Sequence, residues 1–257
     1  SLYGGEIRPH RRPNHDLDRV GLTRYRHTQE ADSQVHRYGH RGGVPELGEN
    51  TLESIEEAAY QGYDGVELDV SRAGDGTLVL CHDRTVAMGG AEVPVDSIPA
   101  DQLPGAPPLR QAIPLLQKTG LRVNLDLKIR DPFDLALATD ALALLEPLQG
   151  RCLVSSFEPR LLRYAASVAP QVPRGLAWAP DLPAWLRNPA LWIWSRATGL
   201  HARQDAIDHA LVGRARRCGL AITAWNVKGT SRLDRLQDMG VHAVIGEGIR
   251  RRDPTPG

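Results

Sequence analysis

Short β-type runs alternate with helix-type stretches along most of this chain, and no other feature of the sequence limits its fold so much. The runs VHRYGHR (35–41), GVELDV (65–70), LRVNLDLK (121–128), CLVSS (152–156), RGLAW (174–178), ATGLHA (197–202), AITAW (221–225) and AVIG (243–246) read as strands. Between them lie the helical patterns TLESIEEAAYQG, FDLALATDALALLEPL, PRLLRYAASVA, DAIDHALVGRARRCG and SRLDRLQDMG. Several of these end on a glycine, at Gly62, Gly219 and Gly240, as helix C-termini tend to do. Repeated β-then-α units imply a parallel sheet. About eight such strands within 257 residues favour a closed (β/α)8 barrel over an open sheet.

One run breaks the alternation. LVLCHD follows GVELDV after only a few residues, whereas a parallel crossover needs a dozen or more. Asp75-Gly76 is a two-residue hairpin signal, so a short antiparallel hairpin is expected after the second strand. With Gly74 and Thr77 flanking that turn, His82 comes to face Asp69. The hairpin then either decorates the surface or carries an imidazole back to a pair of acids.

Glu67 and Asp69 are two apart on a strand, so both point to one face while Val66, Leu68 and Val70 point to the other. On a barrel strand that face is the interior, near the C-terminal end where barrel enzymes keep their sites. Two carboxylates there repel each other unless a cation lies between them, and oxygen ligands of this kind suit Mg²⁺ or Ca²⁺. An exposed polar strand face is the alternative. LRVNLDLK repeats the pattern, with Asn124, Asp126 and Lys128 on one face and Leu125 and Leu127 on the other. Asp126 is a candidate third carboxylate and Lys128 a candidate anion-binding charge; a plain Asp–Lys pair on a solvated edge is the alternative. The chain has only three lysines, Lys118, Lys128 and Lys228, so a lysine at such a place is less easily filler. YGHRGG ends the first strand with His40 and Arg41, an imidazole suited to proton transfer near neutral pH and a bidentate phosphate partner. Glu49 stands just ahead of Asn50 and Thr51, either of which could cap the following helix. Together these residues suit metal-assisted phosphoryl transfer, in which one histidine takes a proton and the other gives one.

The motifs resemble, in order, those of the glycerophosphodiester phosphodiesterase family. The chain carries His40-Arg41-Gly42, Glu49-Asn50-Thr51, Glu67-Leu68-Asp69, Asp75-Gly76, His82-Asp83, Asp126-Leu127-Lys128, Ser155-Ser156-Phe157 and Trp225, a resemblance that covers about residues 36 to 250. It implies a TIM-type barrel with a divalent cation, Mg²⁺ or Ca²⁺. It implies His40 and His82 as the acid/base pair, Glu67, Asp69 and Asp126 as metal ligands, and Arg41 and Lys128 as phosphate-binding residues. Trp225 would pack against the glycerol unit, with Glu49 and Asn50 also placed at the substrate. The implied reaction converts a small glycerophosphodiester to glycerol 3-phosphate and an alcohol through a cyclic phosphate. Phospholipase D-like action on lysophospholipids or a sugar phosphodiester, and a non-catalytic phosphodiester-binding barrel, are the rival readings. The chain departs from the family pattern at Asp126 and Glu247, where glutamate and aspartate are usual, at Asn226, where threonine is usual, and in the segment after His82.

The formal net charge is zero, which gives no reason to expect nucleic acid as a partner. No window approaches the roughly 20 apolar residues of a membrane helix. Cys81, Cys152 and Cys218 are an odd number beside apolar runs and read as free thiols, which suits a reducing compartment; a soluble, cytoplasmic protein is expected. Residues 1–34 are polar and Arg/His-rich without periodicity, and are expected to be an irregular N-terminal extension, loose or packed along a barrel domain over 35–257. Trp178, Trp185, Trp192 and Trp194 crowd one stretch, where they serve either loop packing or a lid over an apolar alcohol.

Overall fold

The computed structural model describes residues 35–131 and 133–251; the N-terminal extension expected over 1–34 lies outside the described residues. Eight parallel strands form a ring: β1 (His36–Gly39), β2 (Gly65–Arg72), β6 (Arg122–Leu127), β7 (Cys152–Ser156), β8 (Arg174–Trp178), β9 (Gly199–Arg203), β10 (Ala221–Lys228) and β11 (Ala243–Glu247). They run β1-β11-β10-β9-β8-β7-β6-β2 around the ring, and pairing of β1 with β2 as well as with β11 closes it. This is the TIM-type barrel that the alternation predicts, with every strand expected from the sequence present.

The helices pack outside: α1 (Leu52–Tyr60), α2 (Leu109–Thr119), α3 (Ala136–Leu144), α4 (Pro159–Val168), α5 (Pro189–Trp194), α6 (His209–Arg217) and α7 (Leu233–Asp238). The expected periodicities are met by α1, α3, α4, α6 and α7. The α2 helix has Pro114 in its interior, which removes a hydrogen bond and hides the helix from a sequence reading. Its buried stripe of Leu109, Ala112, Ile113 and Leu116 holds it in place regardless. The other addition, α5, is only six residues long and is started by the Asn188 side chain accepting from the Ala190 N–H.

Burial follows the two-residue period of the strands. Val66, Leu68 and Val70 of β2, and Val123, Leu125 and Leu127 of β6, face outward into the layer between ring and helices, where they meet Ile55, Leu109, Leu116 and Leu137. Each such side chain contributes about 1.5–3 kcal/mol on leaving water. The inner face of the same strands is thereby left for Glu67, Asp69, Asn124 and Asp126. Past β11 the chain lies against the β1–β2 seam: Ile249 is fully buried, Arg37 donates to the carbonyls of Ile249 and Arg250, and Arg251 pairs with Asp64. No helix among the described residues is long and apolar enough to cross a membrane.

The hairpin after β2 is present, but one residue away from its expected register. β3 (Leu78–Leu80) pairs antiparallel to β2, with Val70 opposite Leu80, Ser71 opposite Val79 and Arg72 opposite Leu78. Cys81, rather than His82, therefore comes opposite Asp69, to whose carbonyl its N–H donates at 3.1 Å. The turn spans three residues, closed by Ala73 N–H to the Thr77 carbonyl at 2.9 Å. A two-residue turn of the expected type needs left-handed backbone at both central positions. Only Gly76 has it, at φ 86°, while the Asp75 carboxylate accepts from the Thr77 N–H. Gly74 allows the turn to approach the next segment closely, since a Cβ there would stand 2.8 Å from the Ser97 carbonyl carbon. A second hairpin, β4 (Thr85–Met88) and β5 (Ala91–Pro94), follows, and a small apolar cluster of Val79, Val95, Ile98 and Leu103 packs this insertion.

Candidate active site

A cavity of about 230 Å³ opens at the C-terminal end of the ring. Eight residues given a role in the sequence analysis line it, His40, Arg41, Glu67, Asp69, His82, Asp126, Lys128 and Trp225, together with the motif residue Ser155. The strands aim them there. Glu67 and Asp69 lie two apart on β2 and are aligned with Asn124 and Asp126 on β6, while Asp126 is aligned with Ser155 on β7. His40 and Arg41 occupy the turn that ends β1, and His82 follows β3.

Glu67, Asp69 and Asp126 are all buried and can each bring a carboxylate oxygen within 4.8 Å of the others. Burial, followed by the negative charges of Asp69 and Asp126, raises the Glu67 carboxyl well above its ordinary range. Burial would also raise Asp69, but the Lys128 ammonium, the Asn50 amide and Arg41 outweigh it and hold that carboxyl low. Lys128 sits between the acids, 2.9 Å from Asp69 Oδ1 and in contact with Asp126. Burial works against its charge, yet Asp126 and Asp69 overcome it and keep the ammonium protonated beyond the usual lysine range. Three desolvated acids sharing one lysine still leave Glu67 strained toward its neutral form. That oxygen donor set fits a hard divalent cation such as Mg²⁺ or Ca²⁺.

Each candidate acid/base histidine has its Nδ1 engaged by a carboxylate. His40 Nδ1 lies 3.2 Å from Glu247 Oε1, and His82 Nδ1 lies 2.8 Å from Asp83 Oδ1. In both rings Nε2 is the nitrogen left for proton transfer. Burial pushes the His40 imidazolium below its ordinary pKa, with Glu247 opposing. Arg41 takes a left-handed backbone, φ 52°, which directs its N–H to Glu67 Oε2 at 3.1 Å. Its side chain meets Asp69 at 3.1 Å and also contacts Glu49.

Glu49 and Asn50 do not line the cavity. Asn50 is buried, with its amide donating to Asp69 Oδ2 at 3.0 Å and its side-chain oxygen accepting from the Asp69 N–H at 2.9 Å. Both of its polar groups are thus spent on Asp69, one on its carboxylate and one on its backbone N–H, instead of reaching the substrate space, and Thr51 is the residue that caps α1. Glu49 is half-exposed behind Arg41. Of the tryptophan cluster, Trp192 is buried, Trp185 and Trp194 are exposed, and none of the four lines the cavity. Trp225 does, edge-on to Phe157 with ring centroids 5.8 Å apart. Ser155 donates to Asp126 Oδ1 at 3.0 Å, bracing the third acid from the opposite side to Lys128.

Asn124, Phe157 and His201 also line the cavity, and the sequence reading gave them no role. The signal for them was the two-residue period: Asn124 shares a face with Asp126, Phe157 with Ser155, and His201 is the middle residue of β9. The link between His40 and Glu247 spans 207 positions and had no local signal.

The model of the glycerophosphoryl diester phosphodiesterase family matches residues 40–250. A glycerophosphodiester phosphodiesterase of Arabidopsis thaliana is 29% identical over 216 residues, which are 76% of this chain and 65% of the relative. A second match, glycerophosphodiester phosphodiesterase 1 of Rattus norvegicus, is 49% identical over 53 residues, 21% of this chain and 16% of that protein. The chain thus spans less than two thirds of the length of either relative. Among solved structures, a phosphodiesterase of Oleispira antarctica in complex with the product sn-glycerol-3-phosphate superposes with a TM-score of 0.73 at 25% identity, covering 84% of this chain and 94% of that one.

Proposed function

The chain belongs to the glycerophosphoryl diester phosphodiesterase family, and from that premise we propose that it hydrolyses a glycerophosphodiester to glycerol 3-phosphate and an alcohol, with a divalent cation held by Glu67, Asp69 and Asp126. The observation that carries this reading is the convergence of two carboxylate-backed histidines, three clustered acids, Arg41 and Lys128 on one cavity. The product held by the Oleispira antarctica phosphodiesterase supports the same reading.

Arg41 and Lys128 hold the phosphate, whose charge they partly neutralise. The cation, when bound, supplies further positive charge to the non-bridging oxygens. His40, kept neutral by burial and oriented by Glu247, takes the proton from the glycerol hydroxyl next to the phosphoester as that oxygen attacks phosphorus. His82, the more exposed of the two, gives a proton to the departing alcohol. With the roles reversed, water opens the cyclic phosphate and glycerol 3-phosphate results. Trp225 and Phe157 form an apolar wall beside the retained glycerol carbons.

The test is release of glycerol 3-phosphate from glycerophosphocholine with Mg²⁺, with Ca²⁺ and with excess chelator. Metal-dependent release is expected, with losses of about a hundredfold or more in His40→Ala and in His82→Ala. Near-normal turnover in both variants, or release that chelator leaves untouched, overturns the reading.

A further inference from the structure

Beside the acids, at the inner end of the cavity, stand two neutral polar side chains, Asn124 and His201. Asn124 is 1% exposed and His201 3% exposed. Neither nitrogen nor oxygen of the Asn124 amide has a hydrogen-bond partner, and the same holds for His201 Nε2. Unpartnered polar groups this deep in a protein are costly, and natural structures keep few of them without a ligand, water or function to answer. Both residues line the main cavity and also a smaller void beneath it, bounded by Leu153, Thr223 and Ile245. They therefore stand at the bottom of the space a substrate would enter.

The surrounding strands make room for this arrangement. Asn124 lies in the strand layer of Glu67, one step deeper than Asp69 and Asp126. Two strands away from it along the ring is β8, whose inner positions Gly175 and Ala177 are small. A Cβ on Gly175 would fall 2.2 Å from His201 Nε2, so the imidazole occupies the volume that a larger residue on β8 would fill. Burial lowers the His201 pKa to about 4, so near neutral pH the ring carries no charge and exchanges hydrogen bonds as a neutral group.

We infer that Asn124 and His201 are specificity-determining residues that hydrogen-bond the terminal hydroxyl of the retained polyol, so that the site selects a glycerol phosphate over an otherwise equal phosphate ending in a methyl group. This rests on the hydrolase reading for the placement of the phosphate at Arg41 and Lys128. With the phosphate at Arg41 and Lys128, an organic portion directed inward meets Asn124 and His201, whose unpartnered polar atoms match a hydroxyl better than an alkyl chain. A site built to pair a hydroxyl rejects the analogue lacking it because its own buried groups are then left unpaired.

The test is calorimetric binding of two probes, glycerol 3-phosphate and propane-1,2-diol 1-phosphate, to the full chain and to its Asn124→Leu and His201→Leu variants, the first keeping the number and branching of side-chain heavy atoms and the second close to the native side chain in volume. Wild-type protein is expected to prefer glycerol 3-phosphate by on the order of tenfold. Each variant should lose that preference while binding the diol phosphate within about twofold of wild type. Because two variants are used, misfolding of one, visible in its melting curve, leaves the other to decide. Equal weakening of both probes in the variants assigns the pair a structural role and overturns the inference. A wild-type protein indifferent to the hydroxyl, as expected if the pair only holds a water in the lower void, overturns it too. Turnover of glycerophosphocholine is scored separately. Hydroxyl preference without turnover defeats the hydrolase reading and leaves the role of the pair standing, whereas turnover without hydroxyl preference does the reverse.

Discussion

Glu67 is the carboxylate whose environment is least compatible with its charge. It is desolvated, it faces Asp69 and Asp126, and the cation that opposes this most, Lys128, is committed to those two acids. A folded carboxyl raised in this way opposes folding at pH 7, where the unfolded chain would ionise it freely. Glu67→Gln removes the repulsion and keeps the Arg41 N–H bond partner. In chelator the variant should melt at or above the wild-type temperature. The rise in melting temperature that Mg²⁺ or Ca²⁺ gives the wild type should be lost, reflecting a fall in affinity beyond the roughly 10- to 100-fold typical of losing a supporting residue. Melting curves with and without metal check this; an undiminished metal shift would mean that Glu67 is no ligand. Much at this scale was legible in the sequence, because Glu67, Asp69 and Asp126 obey the strand period. Of the partners, Lys128 and Arg41 were legible too, whereas Glu247 and the role of Asn50 were not. Glu247 reaches His40 only once the ring closes, and Asn50, read as a substrate contact, serves Asp69 because the fold presses the two together.

The hairpin after β2 shows how an insertion into the strand–helix repeat positions chemistry. His82 follows a three-residue strand, and a single guanidinium ties it down: Arg130 donates to Ser71 Oγ at 3.0 Å, to the His82 carbonyl at 3.4 Å and to the Asp83 carbonyl. Ser71 Oγ in turn donates to the Cys81 carbonyl at 2.8 Å. Arg130 acts through the loop and is a positioning residue. Arg130→Met is expected to lower kcat by on the order of tenfold, a loss of positioning, with little change in KM and no change in the metal-induced melting shift. Arg130→Lys should recover part of the rate. Equal loss in KM, or no loss of kcat, would count against the clamp. The sequence yielded the existence of this hairpin but misjudged its register, since nothing local reveals that Asp75 keeps ordinary backbone and bonds Thr77 instead. Proline hid α2 in the same way: a local rule was overridden by packing that only the assembled barrel supplies.

For the molecule as a whole, burial of His201 makes acid a specific stress. Its folded pKa is about 4 against an ordinary value of 6.5. Above 6.5 the ring is neutral in both states and its protonation makes no contribution. As pH falls from 6.5 to about 4 the unfolded chain gains a proton that the folded one refuses, so stability declines, by on the order of 3 kcal/mol at the limit. His201→Leu removes this contribution. In chelator, denaturant unfolding of wild type and variant at several pH values should give a difference that moves in favour of the variant across that interval and is flat above it. A difference independent of pH would mean that the ring is protonated or solvated in the fold.

Closure of the ring has a further consequence, in time instead of energy. β1 is paired on one side with β2 and on the other with β11, so one of its edges waits for a strand that begins at Ala243. Synthesis at about 5–20 residues per second separates the two by on the order of ten to forty seconds. Throughout that interval the nascent chain presents an unpaired strand edge at β1 and another at its newest strand, each a template for a second nascent chain. A chain cut short between α7 and β11 would leave a barrel complete in every strand but one, with its seam open.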